Sequence, residues 1–139
     1  MIRYEKFQKA LKHLESQYYH YNRLEDDQPE YIHEALKESV IQRFEICWDC
    51  LWKVLRRHLE ETIGLVDLPN GPKPILRLAN ENGLLPSGIE KWLEYNDSRI
   101  ATSHDYSGVK AETALELMND FIADAIELYQ TMSRCTWDT

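Results

Sequence analysis

The chain has 139 residues, a size that fits one domain, and a formal net charge of −8, which excludes binding of nucleic acid through a generally basic surface. Apolar residues make up 43%, enough for a core, and charged residues 29%, enough for a solvated exterior. Charges interrupt every apolar run short of a bilayer span, and the N-terminus "MIRYEKFQKALKHLE" is charged from its start, so the expectation is a cytoplasmic protein with no membrane partner.

The first predicted helix runs from about Arg3 to Tyr21, with Phe7, Leu11, Leu14 and Tyr18 recurring at three and four residues. "LEDDQPE" breaks it. Pro29 suits the first turn of the next helix, with Asp27 or Gln28 ahead of it. That second helix is long, about Pro29 to Thr62, with a stripe of Ile32, Leu36, Val40, Phe44, Cys47, Leu51, Leu55 and Leu59. Gly64 ends it, and "GLVDLPNGPKP", with three prolines and two glycines, is a true connection.

A short helix, "PILRLANENG", closes at Gly83. In "LPSGIEKWLEYNDSRIA" the spacing of Ser87 and Glu90 predicts a capping box at the start of the next helix. The last helix follows Gly108, with Ala114, Leu117, Met118, Phe121, Ala125, Leu128 and Met132 on one face. No strand pattern occurs. The expected fold is all-α: one domain over residues 1–139, an antiparallel up-and-down bundle of four to five helices. Trp48, Trp52, Ile122 and Ile126 lie off the main stripes. They fit either a second apolar face buried in a homodimer or a wider core.

Three cysteines, an odd number, argue against a disulfide framework. "CWDC" has CxxC spacing, but a zinc site needs a second ligand pair and a thioredoxin-like site needs a preceding strand. Cys47 and Cys50 read as small buried residues, and no metal or cofactor is expected. The basic run "KVLRRH" at 53–58 is the one local candidate for contact with nucleic acid. It also fits a solvated helix end where positive charge suits the dipole.

The stretch "DSRIATSHDYSG" departs from the amphipathic pattern. It gathers Arg99, His104 and Tyr106 among small polar residues. Five residues separate Arg99 from His104, about 140° on a continuous helix, so the helix must end between them or each must meet its partner across an interface. Thr102, Ser103, Asp105 and Ser107 compete for backbone bonds, and Gly108 permits unusual dihedrals, which favours a break. An arginine fork grips phosphate, a histidine moves protons, and a tyrosine offers a hydroxyl and a stacking face. Together they suit metal-free cleavage of an RNA phosphodiester, with Ser103 and Asp105 completing the candidate binding set. Glu45, in "QRFE" on the long helix, is placed to pair with Arg99, to orient His104, or to form an exposed ion pair on its own helix.

Four blocks in order, "VIQRFEICWDCLWKVL", "GPKPILRLANENGLL", "WLEYNDSR" and the R-x4-H-x-Y set Arg99, His104 and Tyr106, carry a family resemblance over about residues 3–130. The chain resembles the HEPN superfamily (higher eukaryotes and prokaryotes nucleotide-binding), in the bacterial branch called nucleotidyltransferase substrate-binding proteins. The resemblance implies a helical bundle that dimerises around two R-x4-6-H motifs. It implies a toxin of a HEPN–MNT pair: a metal-independent endoribonuclease using Arg99 and His104. The partner would be a minimal nucleotidyltransferase acting as antitoxin by moving AMP onto Tyr106. The alternative it implies is a non-catalytic subunit that binds nucleotide or substrate for a two-component nucleotidyltransferase. The family usually has a polar residue after the motif arginine; this chain has Ile100, which can neither bond substrate nor hold the arginine.

Overall fold

The apolar spacings become five α-helices: α1 (Glu5–Asn22), α2 (Glu30–His58), α3 (Pro72–Glu81), α4 (Ile89–Thr102) and α5 (Val109–Ser133). The computed structural model describes residues 1–105 and 108–138, and among these there is no strand. Contacts along the chain fix the directions. Ser39 donates to Gln17 at 2.9 Å near one end of the α1–α2 pair, while the Tyr4 hydroxyl lies 3.2 Å from His58 Nδ1 at the other. These helices are therefore antiparallel. Lys37 pairs with Glu112, and the Phe44 and Phe121 rings stand 5.0 Å apart, so α5 runs parallel to α2. Trp48 packs on Trp92 while Glu45 meets Arg99, so α4 opposes α2. The result is an up-and-down bundle of α1, α2, α4 and α5, with short α3 in the connection before α4, burying Ile75, Leu76 and Ala79.

An aromatic cluster sits where α2, α4 and α5 meet. Phe121 touches Phe44, Trp48, Trp92 and Tyr95, with ring centroids 5.0 to 6.5 Å apart and mostly edge to face. Such pairs add about 0.5–1.5 kcal/mol each beyond area burial. Tyr95 keeps its polar end satisfied by donating to Asp124 Oδ2 at 2.6 Å; burial and that carboxylate push its hydroxyl pKa far up.

Several local expectations change. The long stripe does not continue as one α-helix to Thr62. The α-helix ends at His58 and a π-helical turn, Leu59–Ile63, follows. Gly64 closes that turn at φ 90°, a left-handed conformation that favours glycine, and lets Leu65 N–H donate to the Leu59 carbonyl at 3.0 Å. Neither Asp27 nor Gln28 caps α2, because Pro29 itself holds the N-cap position. The Ser87–Glu90 capping box does not form. Gly88 is the N-cap of α4, and Ser87 donates to Asp124 Oδ1 at 2.8 Å, a tertiary bond that outcompetes the local one. Trp48 and Ile122 are buried and widen the core, while Trp52 and Ile126 pack against it and stay partly exposed.

His58 is buried beside Tyr4, and burial, then the Arg134 charge, lowers its pKa from the ordinary 6.5. The unfolded chain protonates this histidine more readily than the folded one. Its contribution to stability is therefore full above about pH 6.5 and declines as pH falls below it. Thermal melts of wild type and His58→Gln between pH 7.5 and about 5 check this. The wild-type midpoint should fall more steeply on acidification; parallel profiles would contradict it.

Candidate functional site

Glu45 and Asp49 are four residues apart, so they share one face of α2. The last turn of α4 brings Arg99 onto that face. Its Nη1 donates to Glu45 Oε2 at 3.3 Å and its Nη2 to Asp49 Oδ2 at 3.2 Å. Thr102, one turn further along α4, donates its hydroxyl to the same Glu45 oxygen at 3.0 Å. The Glu45 side chain is only 9% exposed, so these donors replace the water it gives up. The Arg99 side chain is 25% exposed, and its Nε is buried with no hydrogen-bond partner among the described residues. Both terminal nitrogens of the guanidinium are thus held by acids on α2, and the side chain keeps a quarter of its surface in solvent.

The helix ends at Thr102, between Arg99 and His104. Backbone bonds from His104 N to the Ala101 carbonyl and from Asp105 N to the Thr102 carbonyl, 3.2 and 3.3 Å, form the turn beyond it. The His104 side chain is exposed, with no hydrogen bond or ion pair among the described residues. Ser103 donates to the Ile100 carbonyl at 2.6 Å, finishing the helix. Asp105 Oδ1 accepts the Gly108 amide at 2.7 Å and closes the loop ahead of α5. A Cβ at residue 108 would fall within 3.0 Å of the Asp105 carboxyl carbon and both its oxygens, so a larger residue there would displace this carboxylate from the amide it accepts. Tyr106 and Ser107 lie outside the described residues.

The structure therefore joins Arg99 to Glu45 and shows no hydrogen bond between Arg99 and His104. Glu45 is buried and meets Arg99 and Thr102 on α4. Asp49 and Thr102 were missed by sequence reasoning. Each lies one helical turn from a residue that was singled out, Glu45 or Arg99, and that spacing was the available signal. Ile100 is 54% exposed beside the arginine.

The basic run 53–58 divides among three roles. Arg56 donates to the Pro69 and Leu68 carbonyls at 3.0 and 3.3 Å and pins the connection after α2. His58 is buried. Lys53 and Arg57 face a groove against α1. In "CWDC", Cys47 is buried and its thiol pKa pushed well up by desolvation, while half-buried Cys50 is raised less. Neither is tuned toward a reactive thiolate.

A family model described as nucleotidyltransferase substrate binding protein like matches residues 2–134. The chain belongs to this family. A Haemophilus influenzae relative named "Probable ribonuclease HepT" is 32% identical over 109 residues, covering 77% of this chain and 74% of the relative. Two solved structures share the helical fold. A Thermus thermophilus protein superposes with a TM-score of 0.71 at 30% identity, covering 92% of this chain and 97% of its own. A Haemophilus influenzae protein, described as revealing the fold of a substrate binding domain of a nucleotidyltransferase, gives 0.82 at 27% identity, covering 94% and 99%. The HEPN resemblance of the sequence is thereby membership of the HEPN nucleotidyltransferase substrate-binding family.

Thr102→Val keeps the shape and removes one donor from a buried carboxylate, which should cost about 1–3 kcal/mol in urea unfolding. Combined with Glu45→Gln, the two changes should depart from additivity by about 0.5 kcal/mol or more, since they act on one bond. Simple addition of the two costs would show that this bond does not tie α4 to α2.

Proposed function

We propose that this chain is a toxin-type, metal-independent endoribonuclease that works as a homodimer and is controlled by a partner nucleotidyltransferase. The observation that carries the reading is the anchored arginine. Glu45 and Asp49 fix a partly exposed Arg99 just before the turn that bears the exposed His104. An arginine fixed in this way meets phosphate without losing much side-chain freedom. His104 takes the proton of an RNA 2′-hydroxyl, and that oxygen bonds to phosphorus. The P–O5′ bond breaks, a proton returns to the leaving 5′-oxygen, and Arg99 balances the charge that builds on the phosphoryl oxygens. The products are a 2′,3′-cyclic phosphate and a 5′-hydroxyl.

A second copy completes the site. Arg99 and His104 of one chain share no hydrogen bond, and the exposed Ile100 beside Arg99 gives a partner an apolar side chain to cover. A homologue named as a ribonuclease, and the family's tie to nucleotidyltransferases, support the same reading. One feature favours the alternative of a non-catalytic nucleotide- or substrate-binding subunit. Both terminal nitrogens of Arg99 already face carboxylates, and Ile100 supplies no polar group beside it.

Purified protein mixed with RNA in EDTA decides between them. Cleavage should occur, and His104→Ala should lower its rate on the order of 10²–10⁴. RNA that binds but stays intact would favour the binding subunit instead, and cleavage undiminished in the variant would remove His104 from the reaction and sink the ribonuclease reading as stated. Light scattering at micromolar concentration should give a dimer; a stable monomer removes the shared cleft.

Regulation in this reading places AMP on Tyr106. The added phosphate charge and bulk would pair with Arg99 and exclude RNA. Co-expression with the cognate nucleotidyltransferase should add one or more AMP masses to the peptide containing Tyr106, and Tyr106→Phe should abolish the addition. Equal modification of the Phe variant would place the acceptor elsewhere.

A further inference from the structure

We propose that the groove between α1 and the C-terminal half of α2 is a track for the phosphate backbone of single-stranded RNA, leading to Arg99. The inference rests on the reading that the Arg99 end of the molecule handles RNA. The chain is strongly acidic overall, yet this groove of about 320 Å³ gathers Arg3, Lys6, Lys53 and Arg57. Lys53 and Arg57 are one helical turn apart, about 6 Å along the axis, and so offer two cations in line on one face. Arg3 and Lys6 supply the opposite wall from the start of the chain and of α1.

These charges are mostly uncommitted. Among the described residues, Arg3, Lys6 and Lys53 have no carboxylate within ion-pair reach, and only Arg57 is paired, with Glu61 at 2.9 Å. The field in the groove is felt by its own wall, since Lys6 and Lys53 both oppose the upward shift that burial imposes on the Cys50 thiol. Phe7, Ile46 and Val54 make part of the lining apolar, which suits ribose and base faces between phosphates.

The groove is joined to the candidate site by one residue. Asp49 is the single acid in its lining among the described residues, and its Oδ2 holds Arg99 Nη2 at 3.2 Å. A strand lying along the cations would therefore arrive at the arginine. Four cations exceed what one mononucleotide phosphate needs and match a substrate with one charge per nucleotide.

The test is fluorescence anisotropy with a 2′-O-methyl RNA of about twelve nucleotides, which binds but cannot be cut through its 2′-oxygen. Affinity is measured across salt concentrations for wild type, the double reversal Lys6→Glu/Lys53→Glu, the milder Lys6→Gln/Lys53→Gln, and Arg23→Glu at the far end of α1. The double reversal should weaken binding about tenfold or more. Both double variants should flatten the dependence of log affinity on log salt by about 1.4, or about 0.7 per lost phosphate contact. Arg23→Glu should bind as wild type does. Equal affinity and slope in wild type and both double variants, or no binding by wild type, overturns the proposal. So does RNA binding that survives while association with the partner nucleotidyltransferase is lost, which would assign the groove to an acidic protein surface. Because the probe is uncuttable, groove-dependent binding by a protein that cleaves nothing sinks the ribonuclease reading alone. Cleavage with groove-independent binding sinks only the track.

Discussion

The buried carboxylate of Glu45 is the constraint around which the site is organised. Taken out of water on α2, it requires donors, and the last turn of α4 supplies two to its Oε2: Arg99 Nη1 and the Thr102 hydroxyl. That requirement fixes the height and rotation of α4 against α2. It also decides where α4 stops, because Thr102 is the last helical residue and the turn bearing His104 starts there. The aromatic cluster beneath plays a complementary part. Trp48 and Phe44 on α2, Trp92 and Tyr95 on α4, and Phe121 on α5 set the spacing of the helices. The polar tie then selects one register among the packings such a core would allow. The first site residues thus rest on rigid helices, while His104 rests on a turn closed by Asp105 and Gly108.

How much of this was legible in the sequence follows from the range of the forces involved. Helix positions were readable because apolar periodicity is local: Phe7, Leu11 and Leu14 on α1, or Phe121, Ala125 and Leu128 on α5, announce one buried face each. The break between Arg99 and His104 was readable from rotation per residue and from the small polar residues after it. The Glu45–Arg99 pairing stood among three options, because it joins residues 54 apart and depends on which helices are neighbours. Failures came where a tertiary partner displaced a local one. Ser87 had a suitable glutamate three residues on, but the Asp124 carboxylate on α5 was closer to its geometry. Trp48 lay off the main stripe of α2 because that helix is buried against α4 and α5 together, which widens its apolar arc beyond a single stripe.

The same logic accounts for the divided basic run at 53–58. On a helix, consecutive residues point about 100° apart, so a cluster in sequence is not a cluster in space. Arg56 serves the connection to α3, His58 enters the core, and only the i, i+4 pair Lys53 and Arg57 shares a surface with cations from the chain's beginning. A local positive field in an acidic protein is therefore a product of the fold and cannot be read from net charge.

Anchoring an arginine with two acids has opposing consequences for a site that would meet phosphate. The carboxylates fix the guanidinium and remove the entropy of ordering a long side chain, yet their negative charge opposes an incoming anion. The two acids differ in a way that eases this conflict. Glu45 is 9% exposed and bound by a second donor, so it serves as the permanent hold. Asp49 is 45% exposed and makes the one bond to Nη2, so solvent screens it and it can release that nitrogen when a stronger acceptor arrives. Its place at the end of the cationic groove reinforces the point, because Lys6 and Lys53 offset its charge for an approaching phosphate. Arg99 is in this sense held by one acid and lent to solvent by the other. The two acids thus make unequal holds on one arginine: a buried carboxylate with a second donor, and an exposed one with no second donor among the described residues.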